Sequence, residues 1–345
     1  VSAAPSRPRV SAIIPARNEA DHIGACIRSI VTQQVSGGLE VIVADGRSSD
    51  ETARLAREAG AMVVDNPQRI TPAGLNAALA AARGDIVVRF DAHAEMPPGY
   101  VEASVQALDE EPGAVGVGGW RQIDASGPWG SAIAAALASR FGIGNPRLWR
   151  RPAPGEGRTD VDTFNLGAWR AEDLRAQGGW SERLIRNQDF ELNYRLRHTG
   201  GRIVFDPAIW SIYHPRESLR AIARQYWDYG RFKALMISTH PRSLEPRQLG
   251  PVGLLAAAIA AVVPSRLGAP ARAALAAYFG VLAIVATRGG GGWRTLPVLA
   301  TIHTAWGTGL LAGFAARLTP GRSVRDGSVE RESPLDARSD GRPHR

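Results

Sequence analysis

Two reactive side chains are almost missing from this chain. Cys26 is the only cysteine and Lys233 the only lysine. A lone cysteine makes no internal disulfide, so stability must come from a packed core, and the chain suits a reducing compartment. Cys26 lies in a stretch with helical spacing and is expected in a helix core. With lysine nearly absent, the net charge of +8 rests on arginine. Arginine holds phosphate groups bidentately, which points to nucleic acid, anionic lipid or a diphosphate as partner. No zinc-finger spacing and no RNA-binding aromatic signature accompany that charge, so nucleic acid is set aside. Residues 1–9 lack an apolar run, so no cleavable signal peptide is expected there. No internal repeat is evident.

What is present begins with a core. Hydrophobic residues make up 44% of 345, enough for one large domain or two modest ones. From residue 10 to 119 the pattern alternates strand and helix. Strands are expected at Val10–Ile14, Leu39–Ala44, Ala61–Val64, Ile86–Phe90 and Val115–Gly119. Helices are expected at Ala20–Val31, from Asp50 to Ala59, at Thr71–Ala82 and at Pro98–Glu110. Thr71-Pro72 supplies an N-cap followed by proline in the first turn. Continuous apolar strands alternating with helices predict a mostly parallel sheet covered on both faces. Residues 120–216 are irregular and rich in Gly, Pro, Trp and Arg, as binding loops on a rigid sheet are.

The remainder changes character. Leu219–Met236 is amphipathic, with arginines around it, and reads equally as an interfacial helix on anionic lipid or as an ordinary packing helix. Leu249–Val263, Ala271–Thr287 and Leu296–Ala316 are almost free of charge. A spanning helix needs about 20 apolar residues, so two or three membrane spans are expected. A buried helical hairpin is the alternative. Residues 320–345 lack apolar periodicity and are expected to be disordered.

Several polar residues stand where strands end, the position at which open α/β sheets bind ligands. Pro15 to Glu19 would offer backbone N–H groups and short side chains to a nucleoside, although Glu19 also suits a helix first turn. Asp45 ends the second strand and would accept hydrogen bonds from a base or ribose. Ser48 to Thr52 reads as helix capping. Asp91 and His93 follow the fourth strand, and residues i and i+2 share a face if the chain stays extended. Both are metal ligands and would reach one divalent ion, with a diphosphate completing its shell. Asp91 as a turn residue and His93 as a surface or core residue are the plainer readings. Asp189 opens a helix and would serve as a general base toward an acceptor hydroxyl, or simply as a helix-start acid. Glu191 is the lesser candidate. His214 would close the metal shell, Arg216 would hold a phosphate, or both are loop residues.

In order along the chain, Ser11-Ala12-Ile13-Ile14-Pro15-Ala16-Arg17-Asn18-Glu19, Val43-Ala44-Asp45-Gly46-Arg47-Ser48-Ser49-Asp50, Gly84-Asp85 leading to Asp91-Ala92-His93, and Gln188-Asp189 resemble family 2 glycosyltransferases. The resemblance spans about residues 9–235. With the apolar tail it is similar to the membrane-associated branch that builds exopolysaccharide on a lipid carrier, as succinoglycan-pathway glucosyltransferases do. It implies a GT-A (Rossmann-like nucleotide-binding) α/β fold over 9–236, transmembrane helices within 249–318 and a tail from 319. Pro15, Arg17, Glu19, Asp45 and Asp91 would lie around the donor nucleotide, Asp91 and His93 at the metal position, and Asp189 would be the catalytic base. His93 replaces the usual second aspartate of that metal motif. The Gln-x-x-Arg-Trp pattern of processive members is absent, which favours addition of a single sugar.

The expected activity is inverting transfer from a nucleotide-diphosphate sugar, a UDP-sugar, to a lipid-linked saccharide, with Mg²⁺ or Mn²⁺. The expected location is the cell membrane, multi-pass, with the catalytic domain cytoplasmic. Two rivals stand beside this reading. A sugar-phosphate nucleotidyltransferase would need a cationic glycine-rich loop that residues 10–24 do not supply. A degenerate, non-catalytic scaffold subunit is kept open by His93.

Overall fold

The computed structural model describes residues 8–318 apart from 95, 143, 145, 217 and 267. The tail from 319, expected to be disordered, lies outside the described residues. The chain divides into two compact units, one of residues up to 124 and 137–214, the other of 125–136 and the residues from 215.

The first unit is built on an eight-stranded sheet. Its strands are β1 (Val10–Ala16), β2 (Leu39–Asp45), β3 (Met62–Asp65), β4 (Ile86–Arg89), β5 (Ala114–Ile123), β6 (Thr159–Asp160), β7 (Gly167–Arg170) and β8 (Arg202–Tyr213). They lie in the order β3-β2-β1-β4-β7-β5-β8-β6. The first four run parallel, as does the β5–β8 pair. Antiparallel β7 is inserted between β4 and β5, and antiparallel β6 closes the edge. The sheet is mostly parallel, as expected, and the two reversed strands β7 and β6 make it mixed. The inserted strand, Gly-Ala-Trp-Arg, is too short to show a period in the irregular stretch that holds it.

Successive strand residues serve opposite faces. Ala12, Ile14, Val41 and Val43 pack with the helices Ile23–Val31 and Tyr100–Glu110. Ile13, Ile42 and Ala44 pack with Leu75, Trp169, Trp180 and Phe205 on the other side. Cys26 is buried in the first of these cores, as its spacing predicts.

The parallel β5–β8 pair shifts register twice, between Ala114 and Gly116 and, by more, between Gly118 and Trp120. Gly118 faces Phe205, but Trp120 faces Trp210, so β8 carries a bulge around Asp206–Ile209. Asp206 pins it: one carboxylate oxygen accepts from the Ala208 N–H at 2.7 Å and the other from Arg158 Nε at 2.6 Å. Gly119 admits the bulge, because a Cβ there would lie 1.6 Å from the Ile209 carbonyl oxygen. Bulges of this kind re-aim side chains beside functional sites.

The second unit is helical. The helix Leu219–Thr239 packs along Thr295–Leu318. Small residues let the backbones touch: Gly230 lies against the Trp306 carbonyl, Gly309 against Trp227 and Gly313 against Arg231. Ile222, Tyr226, Phe232 and Met236 are buried, so the packing reading of this helix holds over the interfacial one. The lone lysine is also inside: Lys233 donates to the Ser243 carbonyl at 2.8 Å, and burial pulls its pKa down to about 8. Gly268–Arg288 and Gly292–Leu318 are long and apolar enough to cross a membrane, whereas the apolar helix ending at Val262 is shorter. Phe279, Ile284 and Leu311 are exposed on them.

Candidate active site

The site gathers at the carboxyl ends of β1, β2 and β4. Parallel pairing sets Pro15 beside Ala44 and Ala16 beside Asp45. The two turns that follow are cross-linked. Asn18 Oδ1 accepts from the Ser49 N–H, and the Asn18 N–H donates to Ser48 Oγ, both at 2.9 Å. The Glu19 N–H donates to Thr52 Oγ1 at 2.7 Å, and Asp50 takes the Ala20 N–H at 3.1 Å. Asp50 and Thr52 thus have the structural, capping role. Asn18 and Arg47 hold left-handed backbone, φ 53° and 55°, one in each turn. Asn tolerates that conformation, but arginine adopts it rarely, and such strain collects at functional sites. Asp45 accepts from the Ser48 hydroxyl at 2.6 Å and the Ser48 N–H at 3.2 Å. Arg17 lies along Gly46 in the same turn pair.

Asp91 and Asp189, 98 positions apart in sequence, meet on one guanidinium. Arg89, the last residue of β4, donates through Nη2 to Asp91 Oδ1 at 2.9 Å and through Nη1 to Asp189 Oδ2. Trp180 Nε1–H donates to Asp189 Oδ1 at 3.1 Å. Arg89 is 5% exposed and Asp189 8%, so each charge needs the other. Burial alone would raise the Asp91 pKa, but Arg89, with His93 and Arg121, outweighs it and holds the carboxyl below its usual value. At Asp189 burial wins over Arg89 and Trp180, and the Asp91 charge adds to it, so that carboxyl sits above its usual value. The two carboxylates are thereby pushed in opposite directions, the pattern of groups with separate roles. Arg89 stays firmly protonated between them.

His93 Nδ1 lies 3.4 Å from Glu19 Oε1, which brings the β1 turn to the β4 turn. Glu19 Oε2 is buried without a hydrogen-bond partner among the described residues. Glu191 is taken up by Arg195, at 2.7 Å. His214 lies apart from the carboxylate cluster in its contacts: it is exposed and faces Asp124 at 3.5 Å. Among the described residues no three His, Cys, Asp or Glu side chains form a metal cluster, so no ready shell joins His214 to Asp91 and His93. The reason is plain in the chain: β8 delivers His214 past Tyr213, beside the end of β5.

Sequence reasoning missed Arg89 and Trp180. For Arg89 a signal existed, since a charge inside an otherwise apolar buried strand must be matched. Trp180 sits in a loop and gave none.

Residues 11–162 match the model of Glycosyl transferase family 2. The chain is also 32% identical over 314 residues to succinoglycan biosynthesis protein ExoA of Rhizobium meliloti (strain 1021), covering 86% of this chain and 92% of that protein. It belongs to glycosyltransferase family 2. This family 2 chain is further 27% identical over 241 residues to the dolichyl N-acetyl-alpha-D-glucosaminyl phosphate 3-beta-D-2,3-diacetamido-2,3-dideoxy-beta-D-glucuronosyltransferase of Methanococcus voltae, covering 66% and 74% of the two chains. Its fold is similar to that of the mannosyltransferase PcManGT from Pyrobaculum calidifontis, with a TM-score of 0.63 at 21% identity over 89% of this chain and 87% of that one. S. aureus TarS 1-349 aligns with a TM-score of 0.51 at 14% identity over 92% and 95%. The GT-A fold and glycosyltransferase activity expected for a family 2 member are thus in place.

Proposed function

We propose that the chain transfers one sugar, with inversion, from a nucleotide-diphosphate sugar to a lipid-linked saccharide in cell-surface or exopolysaccharide synthesis. The observation that carries this reading is the Asp91–Arg89–Asp189 cluster, which sets one carboxylate low and one high at the sheet end. Asp189 takes the proton of an acceptor hydroxyl as that oxygen attacks the anomeric carbon. The new C–O bond forms on the face opposite the diphosphate, and the old C–O bond breaks with its electrons leaving on the nucleoside diphosphate. A raised pKa makes Asp189 a stronger base than an ordinary aspartate. Arg89 and Trp180 fix its orientation. Pro15, Arg17, Glu19 and Asp45 would surround the nucleoside in the cross-linked turns.

The donor set at the β4 end fits a divalent cation. Asp91 keeps one carboxylate oxygen outside its ion pair, and His93 follows two residues on. His93 would bring an imidazole nitrogen to the same ion. Bound there, Mg²⁺ or Mn²⁺ would offset charge gathering on the leaving diphosphate. The structure of the fold neighbour PcManGT is a complex with GDP-Man and Mn²⁺, which keeps GDP-sugars beside UDP-sugars as donors to test. The two long apolar helices and the lipid-phosphate named for the Methanococcus relative support membrane attachment and a lipid-linked acceptor, and a catalytic unit facing the cytoplasm would meet nucleotide sugars where they are made.

Nucleoside diphosphate release by detergent-purified protein, from UDP- and GDP-sugars with Mn²⁺, Mg²⁺ or EDTA, tests this reading. Metal-dependent release from a UDP-sugar is expected. Release untouched by EDTA would remove the metal. No release with membrane lipids added, and no nucleotide binding, would favour the scaffold reading.

A further inference from the structure

Trp180 orients Asp189 through its indole, and the place of that indole is set by its backbone. Gly178 and Gly179 precede it in left-handed conformation, at φ 72° and 71°, which glycine adopts without strain. The chain turns sharply there and carries the ring inside. It is buried and meets the Trp169 ring edge-on at 5.7 Å.

Asn76 holds this turn from the other side of the sequence. Asparagine is a weak helix former, because its side chain competes for backbone groups. Yet it stands in the middle of the helix Thr71–Ala81, among alanines and leucines. Its Oδ1 accepts from the Trp180 N–H at 2.8 Å, and its Nδ2 donates to the Trp180 carbonyl at 2.9 Å. One amide thus pairs with both peptide groups of one residue and fixes how that residue is turned. The second Nδ2 proton goes to Glu182 Oε1 at 3.0 Å. Gly179 is also needed for this approach, because a Cβ there would run into Asn76 Oδ1.

The turn is tied to the base-bearing helix as well. Arg195 Nη2 donates to the Gly179 carbonyl at 2.6 Å, and Glu191 holds Arg195 in place. Both residues lie on Gln188–His198, the helix that carries Asp189. Among the described residues the Asn76 side chain bonds to Trp180 and Glu182 and to none of Arg89, Asp91 or Asp189. Any effect it has on the reaction therefore passes through Trp180.

We propose that Asn76 is a positioning residue for sugar transfer: it sets the Trp180 backbone, and so aims the indole N–H that orients the Asp189 carboxylate. The assignment rests on the reading of Asp189 as the base. Small displacements of a reacting group are costly, about 100-fold for about 1 Å, so a contact this far from the chemistry can be felt in the rate.

Kinetics and NMR of the full chain in detergent test it together. Asn76→Ala places the best helix former in that helix, so the fold should survive, with the thermal midpoint as check. Its kcat should fall about tenfold while donor and acceptor KM stay within about twofold. In the Trp180→Phe background, Asn76→Ala should slow transfer less than about twofold further, since residues that act through one another are not additive. With ¹⁵N-tryptophan labelling, the Trp180 indole N–H resonance is assigned by its loss in Trp180→Phe. That resonance should shift in Asn76→Ala and in Asp189→Asn. Wild-type kcat in Asn76→Ala, an unmoved resonance in that variant, or equal slowing with and without the Trp180 indole would overturn the assignment. A resonance moved by both substitutions, beside an Asp189→Asn protein that still transfers sugar at the wild-type rate, would uphold the Asn76–Trp180 clamp and sink the base reading alone.

Discussion

A guanidinium inside β4 has to be matched by negative charge, and Arg89 is matched twice. Arg89→Met would leave Asp189 buried without its cation, at a cost of about 3 kcal/mol or more. A large drop in thermal midpoint in detergent is expected; an unchanged midpoint would show that the pair is not needed. The pH dependence has a definite sign. Asp189 must be ionised to accept a proton, and its pKa is raised by burial. The acid limb of kcat/KM should therefore lie above the ordinary aspartate range, and a limb within that range would count against Asp189 as base. For stability the two carboxylates oppose each other. Folding favours the protonated form of Asp189, so its contribution is present below the ordinary aspartate value and lost as pH rises through the raised pKa. Asp91 contributes above the ordinary value and loses that contribution as pH falls through its lowered pKa. Asp91, Asp189, Glu19 and Asp45 were legible because each ends a strand or opens a helix in a fixed order. Arg89 stood out only as a charge in an apolar strand, and its partner could not be named because the helix Gln188–His198 is reached only through the folded chain.

At the scale of elements, the βα rhythm of the first half was readable because buried parallel strands are continuous apolar runs. The strands β1 and β2 extend slightly past their expected ends, to Ala16 and Asp45, which carries Asp45 into the sheet. The second half resisted for physical reasons. Register shifts on both sides of Ile203–Phe205 break β8, so no single period runs through Arg202–Tyr213. Gly119 is the test of the β8 bulge. A methyl at this position meets backbone rather than a movable side chain. Gly119→Ala should cost about 3 kcal/mol, read as a lowered thermal midpoint, and normal stability would show that the β5–β8 approach is looser. The amphipathic helix Leu219–Thr239 carried two meanings in sequence, since an apolar face does not say what covers it. The glycines at 230, 309 and 313 decided it, because they allow helix against helix at backbone contact.

For the whole molecule, one unit holds the sheet and its carboxylate cluster, and the other holds two helices with the length and apolarity of membrane spans. The family could be read from motifs in order, each weak alone, and the 32% identity to ExoA over most of the chain agrees with that reading. What motif order does not give is which sugar is transferred and to which acceptor. The proposed transfer turns on Asp189 as the group that removes the acceptor proton. Its most direct test is the rate of sugar transfer at saturating donor, wild type against Asp189→Asn, with equal thermal midpoints and donor binding confirmed for both. A fall of about 10²–10⁴-fold is predicted. Transfer by Asp189→Asn within a few-fold of wild type would contradict it.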